Sequence, residues 1–106
     1  MIALTTQTEA EALLAKTEPV WIFKHSATCP VSSAAEEEVQ AFLAAHPMPT
    51  GMVVVQTARP VSNWLATRLG YVHQSPQLFL VADGKVRWQT SHWGITQAAM
   101  TAALGR

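Results

Sequence analysis

One cysteine is present in the chain, Cys29, and it lies in Thr28-Cys29-Pro30-Val31-Ser32. Ser32 stands three residues on, where a dithiol enzyme would carry its second sulfur. A cysteine at a helix start faces backbone N–H groups that have no intrahelical acceptor, and the helix dipole there favours a thiolate. A free thiol of pKa about 8.5 is about 3% ionised at pH 7, whereas sites of this kind bring the pKa to between about 3.5 and 7.5. The chemistry implied is attack on a disulfide by a single sulfur. Pro30 suits the first helical position, because its missing N–H would be unpaired there and its φ is already near helical. The N–H groups of Val31 and Ser32 are expected to point at the sulfur, and the Ser32 hydroxyl to donate a hydrogen bond to the thiolate. Ser32 cannot attack a mixed disulfide. The competing reading, a small buried hydrophobe, suits mid-strand positions better than this one.

A strand and a helix must meet at Cys29. Residues 20–24, Val-Trp-Ile-Phe-Lys, read as a buried strand, and residues 30–46 read as a helix with Val31, Ala35, Val39, Phe42 and Leu43 at helical spacing. Upstream, residues 6–16 form a first helix capped by Thr6 or Thr8 and stopped by Glu18-Pro19. Downstream, Met52-Val53-Val54-Val55-Gln56 is β-branched and continuous, as a central parallel strand is. Arg59-Pro60 opens a helix over residues 61–69 that Gly70 closes. Residues 77–81 and 85–89 are strands joined by Asp83-Gly84, a hairpin signal. Residues 95–104 form the last helix. The order α-β-α-β-α-β-β-α predicts an α/β, thioredoxin-like fold: a four-stranded mixed sheet with helices on both faces.

In that topology several other groups reach the Cys29 end of the sheet. Ser75-Pro76 precedes a strand that starts there, and a cis bond would remove an N–H near the sulfur and expose a carbonyl for a substrate backbone. An ordinary edge proline is the alternative. Ser91 or His92 could cap the last helix, whose N-terminus would suit a carboxylate, and Trp93 could form an apolar wall or pack on the core. His25 could pair with the thiolate or shuttle a proton, or bond to backbone. Arg59 could hold a carboxylate or be a solvated loop residue. Lys24 is expected to end its strand with its head in water. The candidate site is thus Cys29, Pro30 and Ser32 for catalysis, with His25, Arg59, Ser75, Pro76, Ser91, His92 and Trp93 for substrate.

Composition narrows the function. At 106 residues the chain is long enough for one domain, 1–106, with its own core. Seven Lys+Arg balance seven Asp+Glu, so no basic stripe suggests nucleic acid. No apolar run approaches a membrane span, and the start lacks the pattern of a signal peptide. A lone cysteine suits the reducing cytoplasm. His25, His46, His73 and His92 show no metal-ligand spacing, so no metal and no tightly bound cofactor is expected.

The blocks Phe23-Lys24-His25-Ser26-Ala27-Thr28-Cys29-Pro30-Val31-Ser32, Ser75-Pro76-Gln77, Asp83-Gly84-Lys85-Val86 and Ser91-His92-Trp93-Gly94-Ile95-Thr96 closely resemble the YtxJ-type monothiol bacilliredoxins. The similarity runs from about residue 9 to 104. The resemblance implies a thioredoxin fold and removal of bacillithiol from protein mixed disulfides. On that reading Cys29 is the nucleophile, Pro76 matches the fold's cis-proline, and bacillithiol is a co-substrate. The partners implied are bacillithiolated client proteins, the low-molecular-weight thiol itself, and a separate redoxin or reductase that recycles Cys29. Two other functions stay open: a non-catalytic adaptor or stress-response scaffold whose Cys29 is only capped, and a thiol-ligated iron–sulfur carrier.

Overall fold

A computed structural model describes residues 1–105. In chain order its elements are β1 (Ile2–Ala3), α1 (Gln7–Leu14), β2 (Val20–His25), α2 (Pro30–Ala45), β3 (Thr50–Val54), α3 (Arg59–Leu69), β4 (Gln77–Ala82), β5 (Lys85–Ser91), a 3₁₀ turn (His92–Gly94) and α4 (Gln97–Ala103). The strands form one sheet in the order β1-β3-β2-β4-β5. Strand β3 runs parallel to β1 and β2, while β4 is antiparallel to β2 and β5.

The sheet has five strands, not the expected four. The additional strand pairs only Ile2 and Ala3 with Gly51 and Met52, too short a run to show a period-two pattern. Strand β3 also begins two residues earlier than its apolar run, because Thr50 and Gly51 already pair with Trp21 and Ile22. Gly51 suits the spot: a Cβ there would lie 2.5 Å from a Leu4 methyl. The Asp83-Gly84 hairpin forms as expected, with both residues at positive φ (55° and 73°), the twist that tight hairpins need.

Side chains alternate along β2 and sort into two cores. Val20 and Ile22 join Leu13, Val61, Leu65 and Phe79 on the α1/α3 face. Trp21 and Phe23 join Val39, Phe42, Leu78 and Met100 on the α2/α4 face. With both faces covered, all six residues of β2 are buried. The strand ends on two polar residues, so Lys24 and His25 are carried into opposite cores.

Candidate active site

Cys29 is the N-cap of α2, with extended backbone (φ −102°, ψ 121°) and Pro30 in the first turn. It is a free, half-buried thiol. Its carbonyl accepts the first helical hydrogen bond, from Ser33 N–H at 3.0 Å. The sulfur makes no capping hydrogen bond. The first-turn N–H groups of Val31 and Ser32 lie beyond the reach of intrahelical acceptors, as at any helix start.

The Ser32 hydroxyl differs from expectation. It is fully buried and lies 2.8 Å from His25 Nδ1, and it accepts the Ser26 N–H at 2.9 Å. Glu36 Oε1 lies 3.7 Å from His25 Nε2, which favours a proton on that nitrogen. Nδ1 then accepts, and the single Ser32 hydrogen is given to His25 rather than to the thiolate. His25 accordingly bonds to a hydroxyl, neither to backbone nor to sulfur. This His25–Ser32–Glu36 cluster locks the first two turns of α2 to the end of β2.

Gln56 braces the loop from the other side. Its Oε1 accepts Ala27 N–H at 3.0 Å, and its Nε2 donates to Ser26 Oγ at 2.7 Å and Thr28 Oγ1 at 3.3 Å. All three residues before Cys29 are held by one side chain. Gln56 lies past the end of β3 rather than at the strand end its apolar run suggests, and an amide beside a Ser/Thr-rich loop is the one sequence signal for its role.

Pairing of Lys24 with Gln77 brings the start of β4 to the end of β2, next to the Cys29 loop. The Ser75–Pro76 peptide is cis. The Pro76 carbonyl accepts His92 N–H at 3.1 Å, which ties this edge to the 3₁₀ turn. Ser75 Oγ is buried without a hydrogen-bond partner among the described residues.

The start of α4 is a further correction. Neither Ser91 nor His92 caps it. Thr96 does, accepting Ala99 N–H at 3.0 Å, and Glu38 Oε1 accepts Gln97 N–H at 2.9 Å. The chain's own carboxylate therefore fills the position expected to receive one from a ligand. The helix starts two residues late because His92 adopts φ 52° and residues 92–94 form a 3₁₀ turn. Gly94 lies directly against the Thr90 hydroxyl, so a larger residue would not fit the turn. Ser91 Oγ lies 3.1 Å from His92 Nδ1. Trp93 is 71% exposed and, with His92, Val31, Ala34 and Glu38, lines a groove of about 370 Å³ beside the first turns of α2.

On the opposite face, Lys24 does not reach water. It is fully buried, and its ammonium donates to the Ser62 carbonyl at 3.1 Å. It also lies 3.4 Å from His73 Nδ1. Burial brings the Lys24 pKa down to about 8. Burial and then the charges of Lys24 and Arg59 hold His73 below the ordinary histidine value. Arg59 is exposed in the first turn of α3. No group of three His, Cys, Asp or Glu among the described residues is placed to hold a metal ion.

A single N-cap cysteine at a strand–helix junction, on a thioredoxin sheet beside a cis-proline, is the arrangement of a thiol redox protein of the thioredoxin fold. A solved protein assigned as an oxidoreductase with a thioredoxin fold superposes with a TM-score of 0.93 at 29% identity, covering 97% of this chain and 92% of that one. Fasciola hepatica thioredoxin (TM-score 0.81, 17% identity, 100% and 98% covered) and mitochondrial thioredoxin 3 of Saccharomyces cerevisiae (0.80, 15%, 99% and 93%) share the fold. The family model described as Monothiol bacilliredoxin BrxC matches residues 2–100, and the chain belongs to that family.

Proposed function

We propose that the protein removes bacillithiol from protein mixed disulfides. The carrying observation is the single N-cap thiol of Cys29 combined with a buried serine at the position of a resolving cysteine, its hydroxyl committed to His25. The Cys29 thiolate attacks the bacillithiol sulfur of a client–S–S–bacillithiol bond. The client sulfur leaves as a thiolate, and Cys29 now carries the bacillithiol disulfide. A second bacillithiol thiolate, or a thiol of a separate redoxin, attacks that adduct and restores Cys29. Each step exchanges one S–S bond for another, so no external oxidant is consumed.

Pro76, Ser75, His92 and Trp93 surround this end of the sheet and form the edge against which a client is laid. Arg59 is free to meet a carboxylate of the small thiol or client. A reducing cytoplasm suits a protein that must recover its thiol after every turnover. No helix is long and apolar enough to cross a membrane among the described residues.

The test is release of bacillithiol from a defined mixed-disulfide protein, run beside the glutathione adduct. Mass spectrometry of the oxidised protein should show one adduct, on Cys29. Cys29→Ala should abolish turnover; an active Cys29→Ala variant, or wild-type protein that accepts the adduct but never releases it to a second thiol, overturns the reading.

A further inference from the structure

The Lys24 ammonium is a buried charge that the thiol chemistry does not use. One of its hydrogens goes to the Ser62 carbonyl at 3.1 Å, and the His73 Nδ1 lies 3.4 Å away. The Ser62 hydroxyl is 3.2 Å from the same ring nitrogen. A charged ammonium has donors only, so a hydrogen bond from Lys24 to Nδ1 requires the neutral tautomer with the proton on Nε2, its one Nδ1 lone pair shared between Lys24 and the Ser62 hydroxyl. Arg59 is the second cation near the ring. Among the described residues, neither Lys24 nor Arg59 lies within ion-pair distance of a carboxylate.

A buried charge without a counter-ion lowers stability, and an apolar side chain of similar length would fill the same volume without that cost. Stability does not account for the lysine. What it holds is the segment between α3 and β4. Residues 71–76 have no regular structure and end in the cis peptide. Within this segment Gln77 bonds back to Val72 O and accepts Gln74 N–H, which ties the loop to its own exit strand. Tyr71 packs edge-on against Phe79 of that same strand. Among the described residues, His73 alone carries side-chain bonds from the loop to β2 and α3, through Lys24 and Ser62.

We propose that Lys24 is a positioning residue for the thiol exchange. By gripping His73 it fixes residues 71–76 against β2, and with them the Pro76 edge that receives the client chain. The proposal rests on the mixed-disulfide reading above for its kinetic consequence, but not for its structural one.

The test compares Lys24→Met and His73→Leu in the full chain. With a bacillithiolated protein as substrate, each should raise KM roughly five- to tenfold, the size of one ordinary net hydrogen bond, while kcat stays within about twofold. Iodoacetamide alkylation of Cys29 should hardly change, since the His25 cluster and Gln56 hold that loop. Combining the two substitutions should be no worse than either alone. His73→Gln, whose amide oxygen can still accept from Lys24, should restore most of the affinity. His73 lies in a half-buried loop, so His73→Leu carries the test even if Lys24→Met folds poorly. Unchanged KM in the two variants, or additive losses, would overturn the clamp. If the wild type fails to turn over the adduct at all, the functional reading fails, and the clamp is judged by amide exchange at Gln74. Exchange there should be faster in each variant than in wild type; equal rates would sink the clamp on their own.

Discussion

Lys24 and His25 are consecutive residues with opposite surroundings. His25 enters the α2 face, where the Ser32 hydroxyl bonds its Nδ1 and the Glu36 carboxylate faces its Nε2 at 3.7 Å. Lys24 enters the α3 face, where its partners are a carbonyl and a neutral imidazole. One cluster has its polar groups partnered and anchors the helix that carries the nucleophile. The other is a cation with no carboxylate within ion-pair distance among the described residues, and it anchors the loop that carries the cis-proline. The difference teaches that a single strand end can hold both walls of a thiol site, one through each face of the sheet, because pleating sends neighbouring side chains opposite ways.

The sharpest test of that contrast is the pH dependence of stability. Lys24 titrates near 10.5 when unfolded and about 8 in the fold. Between those values the unfolded state holds more protons, so stability rises as pH increases from about 8 to 10.5. The rise from this group should approach about 3 kcal/mol, since each unit of pKa is worth about 1.4 kcal/mol. Urea unfolding of Lys24→Met should lack that component, and the variant should be more stable than wild type at pH 7 even as its KM worsens. A pH profile identical in the two proteins would mean that the Lys24 charge is compensated after all.

Breaking the partnered side should act in the opposite direction. Ser32→Ala removes the partner of the buried His25 Nδ1 and of the half-buried Ser26 N–H, a loss of roughly 1–3 kcal/mol. Turnover should fall without vanishing, and Cys29 alkylation should change, unlike in Lys24→Met. If Ser32→Ala leaves stability intact, water has replaced the hydroxyl and the cluster does not hold the loop. The smallest effect belongs to the rim. Trp93→Ala should shift stability by no more than about 0.5 kcal/mol, because the ring is largely in solvent. Its signature should be kinetic, a roughly two- to fivefold rise in client KM. A large drop in melting temperature would instead place Trp93 in the packing.

Much of this was legible in the chain. The Cys29 junction, Pro30 at the helix start, the Asp83-Gly84 hairpin and the α/β alternation all rest on local periods and turn chemistry, which a sequence displays directly. Strand β1 was not legible, since two residues carry no period. The cap of α4 is Thr96 because residues 92–94 first form a 3₁₀ turn, and Glu38 reaches the Gln97 N–H across the α2/α4 face from 59 residues away. A lysine at a strand end normally keeps its head in water, yet Lys24 is buried. Nothing local reveals that α3 and the 71–76 segment close over it.

What the sequence determined by itself is the chemistry: one sulfur, placed where a helix begins, with no second thiol to resolve a disulfide. Residue type and short-range spacing suffice for that, because capping and dipole effects act within one turn. The tertiary structure decided which groups serve that sulfur. It gave the Ser32 hydrogen to His25, filled the α4 start with Glu38, and enclosed the Lys24 charge. Those assignments depend on which face of the sheet a side chain meets and what covers it, and that is settled only when distant segments pack.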